Sequence, residues 1–290
     1  MFHGAITALI TPFRNGQLDE EALRHIVRWQ IDQGINGLVP VGTTGESPTL
    51  SEEEHKRVIE ITVQETNKAI PVLAGAGSNN PIEAVNYSEF AYQAGADATL
   101  HVAGYYNRPN QTGLYEHFKY VHDNSKLPMI IYNIPPRAIV GVEVATLARL
   151  AELPRVIGVK DATGDLTRPI RERTLITKPF DYLSGDDITA IAYNVGGGQG
   201  CISVTSNIVP KQVAELHRLC NQGLFREAAD LQDKLFALHN ALFIEPNPSG
   251  PKYALSLLGL CSEECRLPIV PLQESTKATI RTIMEELKLI

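Results

Sequence analysis

The segment VIGVKD at 156–161 carries the most reactive side chain that the sequence sets up for chemistry, Lys160. An amine attacks a ketone to form an imine, and removing it from water favours the uncharged, nucleophilic form. The run is apolar, rich in β-branched residues and followed by Thr163 and Gly164, as in a strand buried on both faces of a parallel sheet. Alternation puts Lys160 on one face with Gly158 and Val156. With that face inward, Gly158 leaves room for the lysine stem. The plainer alternative is a strand-end lysine that snorkels to solvent or pairs with Asp161. This stretch alone does not separate the two.

The elements around it do. Strands are expected at 5–10, 37–41, 71–75, 97–102, 129–133, 156–160, 182–185 and 200–204, with helical periodicity between most of them. Asp19 opens a helix carrying Leu23, Ile26, Val27 and Ile31, and Asn15 with Gly16 marks the turn before it. Ser51 and Glu54 form a capping box. Asn80, Pro81 and Glu83 stand as N-cap, N1 and N3 of the next helix. A doubly wound open sheet uses the same alternation, but eight units within about 210 residues fit an α/β (β/α)8 TIM barrel better. Beyond Pro210 the pattern is helical only. The expected organisation is a barrel over residues 1–220 carrying the active site, with a C-terminal helical appendage over 221–290.

Barrel enzymes gather their reactive groups at the C-terminal ends of the strands. Those positions hold Thr43, Thr44, Tyr105, Tyr106, Tyr132, Arg137, Lys160, Gly185 and Ile202. An amine, phenols, hydroxyls and a guanidinium facing one mouth suit aldol chemistry through an imine. The amine captures a keto acid, phenol and hydroxyl move protons, and the guanidinium grips a carboxylate bidentately. Each has a plainer role. Thr43 and Thr44 also fit an ordinary strand-to-helix turn, Tyr132 core packing, and Arg137 a surface loop charge, although two preceding prolines stiffen the loop that aims it.

Composition removes other classes. With 290 residues, 43% hydrophobic and a net charge of -7, the chain can bury a large core but lacks the basic excess of a nucleic-acid binder. No apolar run approaches the roughly 18–20 residues of a membrane span. The N-terminal residues lack the pattern of a secretory signal. Cys201, Cys220, Cys261 and Cys265 are too few for a disulfide framework, and they read as reduced thiols in a cytosolic setting. Gly75 and Gly77 resemble part of a dinucleotide loop, but Asn80 stands where the third glycine belongs. Glu52, Glu53, Glu54 and His55 open a helix, where acids complement the dipole, and no metal-ligand spacing appears.

Six segments together resemble the 4-hydroxy-tetrahydrodipicolinate synthase (dihydrodipicolinate synthase) family of pyruvate-dependent aldolases. They are GTTGES at 42–47, YYNRP at 105–109, IYNIPPR at 131–137, GVKDA at 158–162, LSGD at 183–186 and GCISV at 200–204. The resemblance covers the whole chain and implies a lyase that condenses pyruvate with L-aspartate-4-semialdehyde, in lysine and diaminopimelate biosynthesis. It implies that Lys160 forms the Schiff base and that no separate cofactor is used. Tyr132 would shuttle protons, relayed through Thr44 to Tyr106. Thr43 and Thr44 would hold the pyruvate carboxylate, Arg137 would bind the aldehyde's carboxylate, and Gly185 and Ile202 would line the pocket.

Family members are commonly homotetramers, in which the residue matching Tyr106 enters a neighbour's site. Many bind L-lysine in a cleft matching Ser47, Pro48, Leu50, His55, Asn79, Glu83 and Tyr105. The chain departs from the family at Ala103 and Gly104, where Thr-Pro is usual, loosening the loop before Tyr106. Pro48 and Glu52 depart from the lysine-inhibited type, so weakened inhibition is expected. Competing readings are a sister aldolase acting on a sugar-derived keto acid, opposed by Arg137, and a non-catalytic keto-acid-binding protein, which would not need a nucleophile.

Overall fold

A computed structural model describes residues 2–290. Eight parallel strands form the barrel: β1 (Gly4–Ala8), β2 (Gly37–Val39), β3 (Leu73–Gly75), β4 (Ala98–Val102), β5 (Met129–Asn133), β6 (Val156–Asp161), β7 (Asp181–Ser184) and β8 (Gly200–Ser203). They pair in the order β2-β1-β8-β7-β6-β5-β4-β3, and a parallel bridge between Leu38 and Val72 joins the two ends. The (β/α)8 barrel expected from the alternation is the fold. A two-stranded hairpin, Phe13–Arg14 with Gln17–Leu18, follows β1 around the Asn15–Gly16 turn. Both turn residues have positive φ, 53° and 78°, as a two-residue hairpin turn matching strand twist requires.

Strand alternation sorts the core into two shells. Ile6, Ala8, Val39, Leu73, Leu100, Ile130, Tyr132, Leu183 and Ile202 pack together inside the barrel. Met129, Ile131, Val156, Val159 and Tyr182 belong to a separate cluster between strands and helices. One expectation fails here. The pairing of β5 with β6 slips between Met129, opposite Val156, and Ile130, opposite Gly158. This bulge, which adds one residue to a strand and breaks alternation, puts Val156 on the outer face, away from Lys160. Gly158 has a different role from the one expected. A Cβ there would stand 2.6 Å from the Asp181 carbonyl oxygen and 2.8 Å from the Asp181 Cβ. It permits close approach of β7 rather than space for the lysine stem.

The helices begin where the sequence marks them. Asp19 accepts from the Ala22 amide at 3.0 Å and starts α1 (Glu20–Asp32). The Ser51 and Glu54 capping box is complete at the start of α2 (Glu52–Thr66). Asn80 caps α3 (Pro81–Ala94). Its neighbour Glu83 does not close a capping box: its carboxylate accepts from the Ser78 hydroxyl, which in turn accepts from the Asn80 amide. The helix α4 (Gln111–Asp123) follows β4, and α5 (Pro135–Ala138) and α6 (Val144–Ala151) follow β5. Two short helices, α7 (Arg168–Arg173) and α8 (Ala190–Val195), complete the ring with α9 (Pro210–Asn221). The short helices α5, α7 and α8 carry no full amphipathic repeat.

The C-terminal helices are α10 (Phe225–Ala241), α11 (Ser249–Leu257) and α12 (Glu274–Glu286). Leu235, Leu238, Leu242, Tyr253, Ile280 and Met284 pack in one cluster with Leu9, Ile10, Leu23 and Ile26. The helical region thereby presses its apolar stripes on the first barrel units. Its α10–α11 connection, residues 242–248, reaches the mouth of the barrel.

Candidate active site

Lys160 and Tyr132 face each other from paired positions on β6 and β5, and the amine lies 4.1 Å from the centre of the phenol ring. Both are buried, each 6% exposed. The snorkelling alternative is therefore excluded, and so is pairing with Asp161. Asp161 points the other way, accepting from the Thr163 amide at 2.8 Å and from Arg168 Nε at 2.8 Å. Arg168 also reaches the fully buried Glu172, whose carboxyl burial pushes up to about 7. This network fixes the end of β6 from outside while the lysine points inward.

The room for the lysine stem comes from Gly185. A Cβ there would lie 3.1 Å from Lys160 Cε and 2.8 Å from the Ala162 Cβ. The Gly185 amide donates to the Asp161 carbonyl at 2.6 Å, locking β7's end against β6. Ile202 sits inside the barrel at 1% exposure, and Val204, two residues on, lines the chamber wall.

Around the amine is a chamber of about 70 Å³, lined among others by Thr43, Thr44, Tyr132, Arg137, Lys160 and Asn247. A second chamber of about 200 Å³ opens outward, lined by Thr43, Ser47, Pro48, Tyr105, Ile134 and Arg137. Thr43, Ile134 and Arg137 border both, so Arg137 stands at the throat. Its position follows from α5: Pro135 and Pro136 open that one-turn helix, with Arg137 exposed in the turn.

The threonine loop is held from the C-terminal region. The Asn247 amide nitrogen donates to Thr44 Oγ1 at 3.0 Å. Two residues past Thr44, Glu46 adopts a left-handed backbone (φ 54°) with its carboxylate bound by the fully buried Lys252 and by the Arg266 amide at 2.9 Å. Lys252 also donates to the Glu264 carbonyl at 2.8 Å and caps the Phe13 ring at 4.1 Å. A buried cation and anion with their hydrogen bonds filled make a well-defined strut. Sequence reading missed Asn247, Glu46 and Lys252. The usable signal was the segment NPSGP at 247–251, whose prolines and glycine interrupt a region otherwise read as helix.

Tyr106 is the site residue that the fold does not bring in. It is 93% exposed with a positive φ of 66°, and it borders neither chamber. The residues matched to an effector cleft divide. Ser47, Pro48 and Tyr105 line the outer chamber. Asn79 donates to the Tyr105 carbonyl at 3.3 Å. Leu50 packs on the core. His55 is buried, stacked on Tyr87 at 3.9 Å, and bonded through Nε2 to the Gly75 carbonyl at 2.9 Å. A carbonyl only accepts, so Nε2 carries the hydrogen; burial pushes the ring's pKa down to about 4, and it is neutral at pH 7.

Other features reduce to structure. Gly75 and Gly77 pack against the backbones of Val41 and Val102, which accounts for both glycines without a nucleotide. Larger surface hollows of about 530 and 640 Å³ lie on the outside of the barrel, lined by charged side chains such as Lys211, Arg218, Arg24 and Arg28. All four cysteines are free, and burial pushes Cys261 and Cys265 up to about 12.

A family model described as the dihydrodipicolinate synthetase family matches residues 1–287. The chain belongs to this family. The 4-hydroxy-tetrahydrodipicolinate synthase of Ruegeria pomeroyi is 53% identical to it over 290 residues, covering 100% of both chains. Among solved structures, the dihydrodipicolinate synthase of Aquifex aeolicus is 40% identical, covers 99% of each chain and has a TM-score of 0.98. The chloride-inhibited synthase of Acinetobacter baumannii, solved in complex with pyruvate, is 41% identical over 100% of each chain with a TM-score of 0.97. No helix among the described residues is long and apolar enough to cross a membrane.

Proposed function

We propose that this chain is a lyase, a 4-hydroxy-tetrahydrodipicolinate synthase, condensing pyruvate with L-aspartate-4-semialdehyde through an imine on Lys160. The observation that carries the reading is the buried amine of Lys160 facing Tyr132 in a small chamber whose throat holds Arg137. Thr43 and Thr44 hold the pyruvate carboxylate by hydroxyl and backbone N–H groups. The amine adds to the keto carbon, and the carbinolamine loses water to give the imine. Loss of a methyl proton yields an enamine, whose carbon attacks the aldehyde and forms the new C–C bond. The aldehyde substrate's amine then displaces Lys160 from the imine carbon, closing the ring and freeing the enzyme. Tyr132 carries protons in these steps with Thr44 as its partner. The covalent imine supplies the electron sink, so no separate cofactor is invoked.

Arg137, bordering both chambers, grips the carboxylate of the aldehyde and thereby favours it over a polyol. Tyr106 completes the relay in a neighbouring subunit of a homotetramer, which agrees with its exposure on a single chain. The enzyme works in the cytoplasm, in lysine and diaminopimelate biosynthesis. Free L-lysine binds weakly between subunits beside Tyr105, with Glu83 facing its ammonium group. Turnover of pyruvate with a panel of aldehydes tests the reading. The greatest kcat/KM is expected for L-aspartate-4-semialdehyde. Faster turnover of an uncharged sugar aldehyde would overturn the assignment.

A further inference from the structure

We infer that Asn247, supplied by the connection between α10 and α11, is a positioning residue that sets the direction of hydrogen bonding through Thr44. The inference rests on the imine reading given above and deepens it. Thr44 is 3% exposed and Asn247 6%, and the 3.0 Å bond between them is the amide donating to the hydroxyl. A threonine hydroxyl has one hydrogen and two lone pairs. With one lone pair filled by Asn247, the hydrogen is committed to an acceptor on the chamber side. Thr44 is then a donor toward Tyr132 or the bound keto acid. An acceptor in place of the amide nitrogen would take that hydrogen and reverse the order.

Two further observations separate this from ordinary loop packing. Asn247 lines the inner chamber with Lys160 and Tyr132, and its Oδ1 is buried without a hydrogen-bond partner. A buried amide oxygen left open is costly where only structure is at stake. At the edge of a substrate chamber it is available to a protonated group of an intermediate. The register of Asn247 on Thr44 is also fixed independently. Lys252, five positions along the same segment, grips Glu46, two positions beyond Thr44. The two contacts clamp the ends of one short loop and leave the asparagine little freedom to withdraw.

The test compares Asn247→Asp and Asn247→Ala with the parent enzyme and with Thr44→Val. Aspartate keeps the size but only accepts, so it captures the Thr44 hydrogen. Losing an oriented proton-transfer partner lowers kcat by about 10- to 100-fold. That loss is expected in both variants, and the larger in Asn247→Asp. KM for the aldehyde should stay within about two-fold, and the melting temperature close to the parent's. Adding Asn247→Ala to Thr44→Val should cost little more than Thr44→Val alone, because residues that act as one unit are not additive.

Borohydride trapping with pyruvate runs alongside as the control. A parent enzyme that traps no imine refutes the imine reading itself. A parent that traps normally, with both Asn247 variants keeping kcat within about two-fold, refutes only the inference. Additive losses with Thr44→Val, or parallel losses in kcat, both KM values and melting temperature, would make Asn247 a structural residue and also refute it.

Discussion

Gly185→Ala should damage the imine step while leaving the fold intact. The added Cβ would stand 2.8 Å from the Ala162 Cβ, 3.1 Å from the Asp161 carbonyl oxygen and 3.1 Å from Lys160 Cε. Carbon atoms in comfortable contact lie about 3.5–4.0 Å apart. Ala162 and the Asp161 carbonyl belong to a strand end tied to its neighbours, so the lysine stem is the part able to give. Overpacking of this kind costs about 1–3 kcal/mol. A reacting group displaced by ~1 Å loses about 100-fold in rate. The expected result is a 10- to 100-fold slower formation of trappable imine, roughly, with KM for the aldehyde little changed. Gly158→Ala is the companion, because its Cβ meets the Asp181 carbonyl oxygen and Cβ where β6 pairs with β7. It should lower the melting temperature and the yield of folded enzyme more than the imine rate per folded molecule. Quenched-flow borohydride trapping and thermal melts on both proteins decide the matter. Normal imine formation in a folded Gly185→Ala would refute the placement of the lysine stem.

The remaining expectations concern substrate choice, the effector and pH. Arg137→Ala should lower kcat/KM for the aldehyde by about 10- to 150-fold, the value of a hydrogen bond to a charged group, with little effect on imine formation. Equal damage to both steps would deny Arg137 its place at the aldehyde. Steady-state rates across a lysine titration should show weak inhibition that Glu83→Ala relieves; no inhibition up to millimolar lysine would leave Glu83 only its Ser78 contact. Burial lowers His55 and His217 to about 4 and His101 to about 3, so these rings stay neutral in the fold and take up protons on unfolding. Their stabilisation is present above the unfolded value of about 6.5 and lost as pH falls toward their folded values. Glu172, raised to about 7, runs the opposite way, losing stability as pH rises from about 4.5. The urea midpoint should therefore drop between pH 6.5 and 4, and more steeply in Glu172→Gln; a flat midpoint would contradict the buried neutral histidines.

Much of the site was legible because its chemistry sits where strand patterns end. Lys160, Tyr132, Thr43 and Thr44 each follow an apolar run, and strand ends in a barrel converge on one mouth. Helix starts were readable at Asp19, Ser51 and Asn80 because a capping side chain bonds to amides two or three residues on, a local rule. The bulge beside Val156 was not readable, since the slip depends on how β5 and β6 dock rather than on either strand. The roles of two glycines were not readable either, because they depend on what packs opposite: Gly158 admits β7, and Gly185 leaves room for the lysine stem. Asn247 and Lys252 lay hidden because they act across more than 200 residues of sequence, on Thr44 and Glu46. Nothing local in their helical surroundings announces a partner that distant. Tyr106 is legible as a residue type but not as a contact, because it is exposed and borders neither chamber.

The most direct measurement is the site of covalent attachment. Enzyme incubated with pyruvate, reduced with borohydride, digested and analysed by mass spectrometry should carry a reduced pyruvate adduct on the peptide containing Lys160. Lys160→Ala, folded to the same melting temperature, should carry none. An adduct on another lysine, or one that persists unchanged in Lys160→Ala, would contradict the account.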